Sequence, residues 1–203
     1  MSIALTELQR SALQEAGNIG SGHSAIALSQ LMGKKIMIAI PSVEVYSVSD
    51  FMNTLLNDDK DFVFVSIQIL GDISGAVMFC LSEEMARSLC RVVMGPLDVP
   101  TQEISEVEES ALQEVGGIVG ASYLNAINQM TDLSLLSSVP SFYTGKGTRF
   151  QSILEHDEVA LKDVHKVICV STEFVEASTK IDALLLFLPL DKSLPLFLSA
   201  MGV

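Results

Sequence analysis

Basic residues are scarce. Twelve lysines and arginines stand against 25 aspartates and glutamates, a formal net charge of −13 with an isoelectric point near 4.5. A surface that negative repels phosphate backbones and anionic lipid, which argues against nucleic-acid and membrane-surface partners. It favours a partner that presents lysine or arginine. Long apolar runs are missing as well. The longest near the C-terminus, Ala183 to Leu190, has eight residues, against the roughly 20 that a membrane-spanning helix needs. The opening MSIALTELQR lacks a basic region followed by an apolar stretch and a cleavage site. The expectation is a soluble, cytoplasmic protein.

Cysteine and histidine are equally sparse. Cys80, Cys90 and Cys169 lie far apart within apolar runs and form no CxxC pair. That excludes a disulfide framework and a thiolate zinc site, and it predicts reduced, buried thiols. The three histidines make no HExxH or mixed His/Cys spacing. His23 is expected on the apolar side of the first helix, and His156 and His165 stand isolated in mixed segments. Gly17, Gly20 and Gly22 follow a helical stretch and lack the GxxxxGK[ST] pattern, so they are not a phosphate loop. Ser24 and Ser122 have no base at a legible spacing.

What the chain has in quantity is apolar surface. Apolar residues make up 49% and charged residues 18%, with a mean hydropathy of +0.43. Disorder is excluded. A chain of 203 residues buries roughly 70% of its unfolded surface, enough for a core without staples.

The strongest pattern is a repeat. Residues 11–19 read SALQEAGNI and residues 110–118 read SALQEVGGI, with seven of nine positions identical at an offset of 99. Ala27 and Ala126, Gln30 and Gln129, and Pro41 and Pro140 keep the same register. The expectation is a single domain, 1–203, built of two repeats of about 1–97 and 98–203. Each repeat reads as a long helix, about Thr6 to Met32 and Ser105 to Met130, with Thr6 a plausible N-cap. In the first, KKIMIAIPSVEVYS reads as a strand whose Pro41 marks a start, an edge or a bulge. A short helix SDFMNTLLND follows, then strands FVFVSIQIL and SGAVMFCL broken at Gly71-Asp72. Ser82-Glu83-Glu84 caps a helix to about Met94, and MGPLDVPTQ is the linker. The second repeat has a strand around LSLLSSVPSF, a mixed segment to Ala160, strands KVICVSTEFVEA and IDALLLFLPL, and a final helix near Asp191. The fold class is α+β: a mostly antiparallel sheet, buried on at least one face, covered by helices and halved by a pseudo-two-fold.

On a helix, Glu15 lies about 40° from Ser11 and Asn18 about 20° the other way, so the three form one polar stripe. Leu13, Ala12, Ala16, Ile19, Ile26 and Ala27 are expected to face the core, while Gly22 and Ala25 continue the stripe as a smooth patch. Two readings fit Gly17 and Asn18: the end of the helix as a C-cap, or part of a continuous outward surface. The recurrence of Ser, Glu and Gly17/Gly116 favours the second, in a part of the helix expected to face solvent. The cluster Glu103, Glu106, Glu108, Glu109 reads as a solvated helix start favoured by the dipole.

Ser11, three residues, Glu15, two residues, Asn18, twenty-two residues, Pro41 resembles the signature of the CheC family of chemotaxis phosphatases (CheC/CheX/FliY-like), as does the adjoining EAGNIGSGHSAIALSQLMGKKI. The resemblance implies the internally duplicated CheC-like fold and a hydrolase acting on the aspartyl-phosphate of a CheY-type response regulator. It implies that Asn18 orients the attacking water, that Glu15 pairs with the regulator's active-site lysine, and that Pro41 is structural. Any Mg²⁺ is then expected on the regulator, with no cofactor or metal of this chain's own. The second copy keeps Ser110, Glu114 and Pro140 but has Gly117 where Asn is expected. Glu114 can still meet a lysine, whereas Gly117 has no amide to hold a water. The alternative the resemblance leaves open is a non-catalytic adaptor that binds a response regulator, a CheD-type deamidase or a flagellar-switch partner.

Overall fold

The computed structural model describes residues 6–56, 60–95, 103–156 and 161–202. Most of the linker MGPLDVPTQ lies outside the described residues, as does the side chain of His156. The first repeat comprises α1 (Glu7–Met32), β1 (Ile36–Ser47), α2 (Val48–Leu55), β2 (Asp61–Gly71), β3 (Gly75–Ser82) and α3 (Glu83–Met94). The second comprises α4 (Glu106–Met130), β4 (Leu135–Ser137), β5 (Ser141–Lys146), α5 (Phe150–His156), β6 (Lys166–Glu176), β7 (Thr179–Pro189) and α6 (Leu194–Ala200).

The long helices start where their capping chemistry puts them. Thr6 accepts from the Gln9 amide while Gln9 Oε1 accepts from the Thr6 amide, and Ser105 and Glu108 make the same reciprocal box. The two boxes sit at the repeat offset of 99. At the other end, Ser29 Oγ accepts from the Ile36 amide, and Asn128 bonds both polar groups of Leu135, again at matched positions. Gly17 and Asn18 do not end α1. The helix runs on to Met32 and closes on Gly33, which adopts the left-handed conformation that suits glycine.

All the strands join one antiparallel sheet in the order β1-β6-β7-β3-β2-β4, with β5 also paired to β2. Exchanging the repeats swaps β1 with β5, β6 with β2 and β7 with β3, which returns the same order. That palindrome fits the duplication, and β3 against β7 is its centre. Alternating residues of the strands are buried on opposite faces. Val63, Val65, Val77, Phe79 and Leu81 join the core beneath α1, α3, α4 and α6; Phe62, Phe64, Ala76, Met78 and Cys80 join a second core beneath α2 and α5. The sheet is thus buried on both faces, more than the apolar runs required.

Pro41 lies within β1, a margin strand, where Ile40 and Pro41 together oppose the single residue Thr172. This is a β-bulge. It matches the sequence expectation of an edge or bulge.

Several expectations for α1 are corrected. Its buried face is Leu13, Ala16, Gly17, Gly20, Ser21, Ser24 and Leu28, which keeps only Leu13 and Ala16 of the set expected. Ile26 is 60% exposed, His23 is exposed, and Ala12, Ile19 and Ala27 are only half-buried. The reason is that α1 lies both on β1 and against α4, and small residues mark the contacts. A Cβ on Gly20 would sit 2.9 Å from Tyr123 Cγ. The duplicated glycine also faces inward: a Cβ on Gly116 would lie 2.7 Å from Val65 Cγ1, and one on Gly17 3.0 Å from Ile40 Cδ1. Its recurrence is therefore a demand of helix-on-sheet packing.

Glu108 overturns the solvated reading of its cluster. It is 3% exposed and accepts from Arg87 Nη1 at 3.4 Å, while Arg87 also holds Glu83 at 2.8 Å. A buried carboxylate is retained here because an arginine and the Ser105 amide and hydroxyl satisfy it.

Candidate functional site

Two side chains of α1 pin it over the bulge of β1. Gln14 Nε2 donates to the Ile40 carbonyl at 3.1 Å, and Arg10 Nη1 donates to the Val43 carbonyl at 3.1 Å and to Glu44 Oε1 at 2.9 Å. Both Arg10 and Glu44 are half in water, so this ion pair adds only ~0–1 kcal/mol and serves mainly to orient the helix. With Gly17 against Ile40, the opposite side of the helix turns outward. Ser11, Glu15 and Asn18 are all exposed there, as the stripe predicts.

No hydrogen bond or ion pair among the described residues restrains the side chains of Glu15 and Asn18. They line a shallow groove of about 420 Å³ together with Glu7, Arg10, Ser11 and Gln14. A free carboxylate and a free primary amide stand one helical turn apart at its rim. The carboxylate can receive a cation, and the amide can both accept from and donate to a water. Reading the residues singled out the exposed pair but not Arg10 and Gln14, whose role is to hold it. The signal available was their spacing, one turn back from Gln14 and Asn18 respectively.

On α4, Ser110 and Glu114 are exposed at the matched positions. Gly117 is half-buried, because the ring of Pro140 lies over it: a Cβ at 117 would be 3.1 Å from Pro140 Cγ. The second stripe therefore has the carboxylate without the amide.

Other chemistry-bearing groups are accounted for by structure. Ser24 Oγ donates to the Gly20 carbonyl at 2.8 Å and Ser122 Oγ to the Ile118 carbonyl at 2.7 Å, bonds internal to their helices. Burial pushes the thiols of Cys90 and Cys169 up to about 12 and that of Cys80 well above its ordinary value, so none is a nucleophile near neutrality. All three are free and buried. His165 is not isolated but faces Asp191 at 2.8 Å. Among the described residues, no group of three His, Cys, Asp or Glu side chains is placed to hold a metal ion, and no helix is long and apolar enough to cross a membrane.

The CheC-like family profile matches residues 8–45, the stretch that holds Ser11, Glu15, Asn18 and Pro41. The chain is also 33% identical over 138 residues to a Bacillus subtilis protein named CheY-P phosphatase CheC, a match spanning 67% of this chain and 66% of that protein. The chain belongs to the CheC-like family. The matched stretch thus covers just under two thirds of that relative's length. A second relative, the flagellar motor switch phosphatase FliY of B. subtilis, is 29% identical over 111 residues, which is 54% of this chain and 29% of that protein. The fold agrees: the crystal structure of Thermotoga maritima FliY superposes with a TM-score of 0.79 at 18% identity, covering 98% of each chain.

Proposed function

We propose that the chain hydrolyses the aspartyl-phosphate of a CheY-type response regulator at the outward face of α1. The observation that carries this reading is the exposed, unrestrained pair Glu15 and Asn18 beside an open groove. Membership of a family whose B. subtilis representative is named a CheY-P phosphatase supports it.

In this mechanism α1 lies across the regulator's active site. Glu15 pairs with the regulator's lysine and sets the register of the helix. Asn18 then holds a water in line with the phosphorus. The water oxygen bonds to phosphorus as the bond to the aspartyl oxygen breaks, leaving a free carboxylate and inorganic phosphate while the proton passes to solvent. Phosphoryl transfer of this kind needs positioning and charge neutralisation more than covalent chemistry from the enzyme. The regulator brings the carboxylate, the lysine and Mg²⁺; this chain brings the amide.

A second reading is a non-catalytic adaptor that binds a response regulator, a CheD-type deamidase or a flagellar-switch partner through the same helices. Gly117 favours it for the second repeat, where the carboxylate remains without a group to hold water, and the likeness to FliY agrees with it. The deciding experiment is phosphate release from a phosphorylated CheY-type regulator with Mg²⁺, with and without this protein. Accelerated release supports hydrolysis; an unaltered rate with measurable binding supports the adaptor.

A further inference from the structure

We propose that copies of this protein join head to tail, one corner of the sheet docking on the opposite corner of a second copy. The contact lies on the face of the sheet away from α1 and α4. It is therefore independent of the hydrolytic reading and leaves Glu15 and Asn18 open to a partner.

An exposed apolar cross-strand pair recurs in the two repeats. On β1 Met37 opposes Val175 of β6, and at the repeat offset of 99 Leu136 of β4 opposes Leu70 of β2. Met37 is 51% exposed, Leu70 46% and Leu136 65%, with Val175 half-buried. Their chain neighbours Ile36, Phe174, Ile69 and Leu135 all belong to the core beneath the long helices. Strand alternation turns the two pairs to the other face, and the core beneath α2 and α5 does not include them. Single apolar residues on a surface are ordinary. Two side chains standing opposite each other on adjacent strands form a patch, and here the patch is present at both equivalent corners.

The charges around the two corners have diverged in sign. Lys35 is exposed beside the first pair, and no hydrogen bond or ion pair among the described residues restrains it. Lys180 of β7 stands opposite Val175 and is ion-paired with Glu173 at 3.1 Å. Lys34 and Glu176 belong to the other side of the sheet: Lys34 donates to the Val92 carbonyl of α3, and Glu176 alternates with Val175. The first corner thus keeps a positive charge on this face, in a chain whose net charge is −13. At the second corner Ser134 takes the place of Lys35, Asp72 and Asp132 are exposed, and no lysine or arginine occurs in 66–76 or 130–138. Like corners meeting would set Lys35 against Lys35, or Asp132 against Asp132. Unlike corners bring apolar pair to apolar pair and lysine to aspartate, so the contact is heterologous and each junction leaves a free corner at either end. A contact of this size is weak and forms as concentration rises.

The test is sedimentation equilibrium of the full chain over about 5–500 µM, the range that populates contacts of micromolar Kd. The mean mass of the unaltered protein should climb with concentration without stopping at a dimer, and added salt should lower it. Met37→Asp blocks the first corner and Leu136→Asp the second. Each variant alone should stay a monomer, and an equimolar mixture should form a dimer and nothing larger, because one intact junction remains. Lys35→Glu and Asp132→Lys, exposed changes outside the apolar pairs, guard against misfolding. Each should depress assembly, and the two in one chain should recover part of it by exchanging the signs. A monomer at every concentration overturns the proposal, as does a mixture that forms no dimer or a charge exchange that recovers nothing. A Met37→Asp protein that still dimerises overturns it too, since like corners would then be meeting. Phosphate release is no part of the measurement, so any of these failures leaves the α1 mechanism standing.

Discussion

Replacing Asn18 with alanine separates chemistry from folding. The side chain is exposed in the middle of a continuous helix and makes no hydrogen bond or ion pair among the described residues. Folding therefore loses nothing when it is cut back. Helix propensity favours Ala over Asn by up to ~0.7 kcal/mol, so the variant should be more stable by about half a kcal/mol. For a chain of this size that is a rise in Tm of about 1–2 °C. Activity should move the other way. Loss of one positioned polar group at a reacting centre commonly costs ~10²–10³ in rate, about 3–4 kcal/mol of transition-state stabilisation. The assay pairs phosphate release from phosphorylated regulator with urea denaturation of the same preparations. A slower but more stable enzyme is the expected outcome. Full activity would remove Asn18 from the mechanism. A loss of stability matching the loss of rate would mean that the side chain braces the fold and that its exposure has been misread.

Three further outcomes are expected. Gly117→Asn should restore part of the activity of Asn18→Ala by supplying an amide to the second face. Its Cβ begins 3.1 Å from Pro140 Cγ, so the proline must yield by a few tenths of an ångström and stability should change by less than ~1 kcal/mol; no recovered phosphate release would show that the α4 face cannot position the substrate. Glu108→Gln keeps the cap but removes the buried charge that faces Arg87, which retains Glu83; urea unfolding should register a loss of about 1–3 kcal/mol, and a neutral effect would refute the pairing. Stability should also fall in alkali. The folded state keeps protons on Cys90 and Cys169 up to about pH 12, whereas unfolded thiols release them near 9. The contribution is thus complete below pH 9 and erodes as pH climbs toward 12, by up to about 1.4 kcal/mol per unit for each thiol. Denaturation midpoints at pH 7.5, 9 and 10 should decline in order, and a level series would contradict the burial.

Local rules make much of this architecture legible in the sequence. Thr6 with Gln9, Ser105 with Glu108 and Ser82 before Glu83 mark helix starts by hydrogen bonds a few residues long. The repeat made the rest of the reading twice as secure, since each half checks the other. The stripe of Ser11, Glu15 and Asn18 followed from helical geometry alone. What escaped depended on distant partners. Nothing near Ile26 or His23 tells that α1 turns its small residues, not those two, toward α4. Gly17 and Gly116 looked like part of the outward surface because their contacts lie far along the chain, Ile40 23 residues after Gly17 and Val65 51 residues before Gly116. Glu108 looked solvated because its cation, Arg87, comes from α3 across the unit boundary.

The bulge at Ile40 and Pro41 has a consequence for how copies of this protein meet. A strand at the margin of a sheet offers a ladder of free backbone groups on which another chain can pair. On β1 the Ile40 and Val43 carbonyls are already taken by Gln14 and Arg10, Pro41 has no N–H to give, and the extra residue breaks the spacing an incoming strand would have to match. Strand-by-strand stacking is closed at that margin, in a chain whose 49% apolar content would otherwise encourage it. The helix that presents Glu15 and Asn18 does the closing, so any molecule approaching it must be recognised through side chains alone.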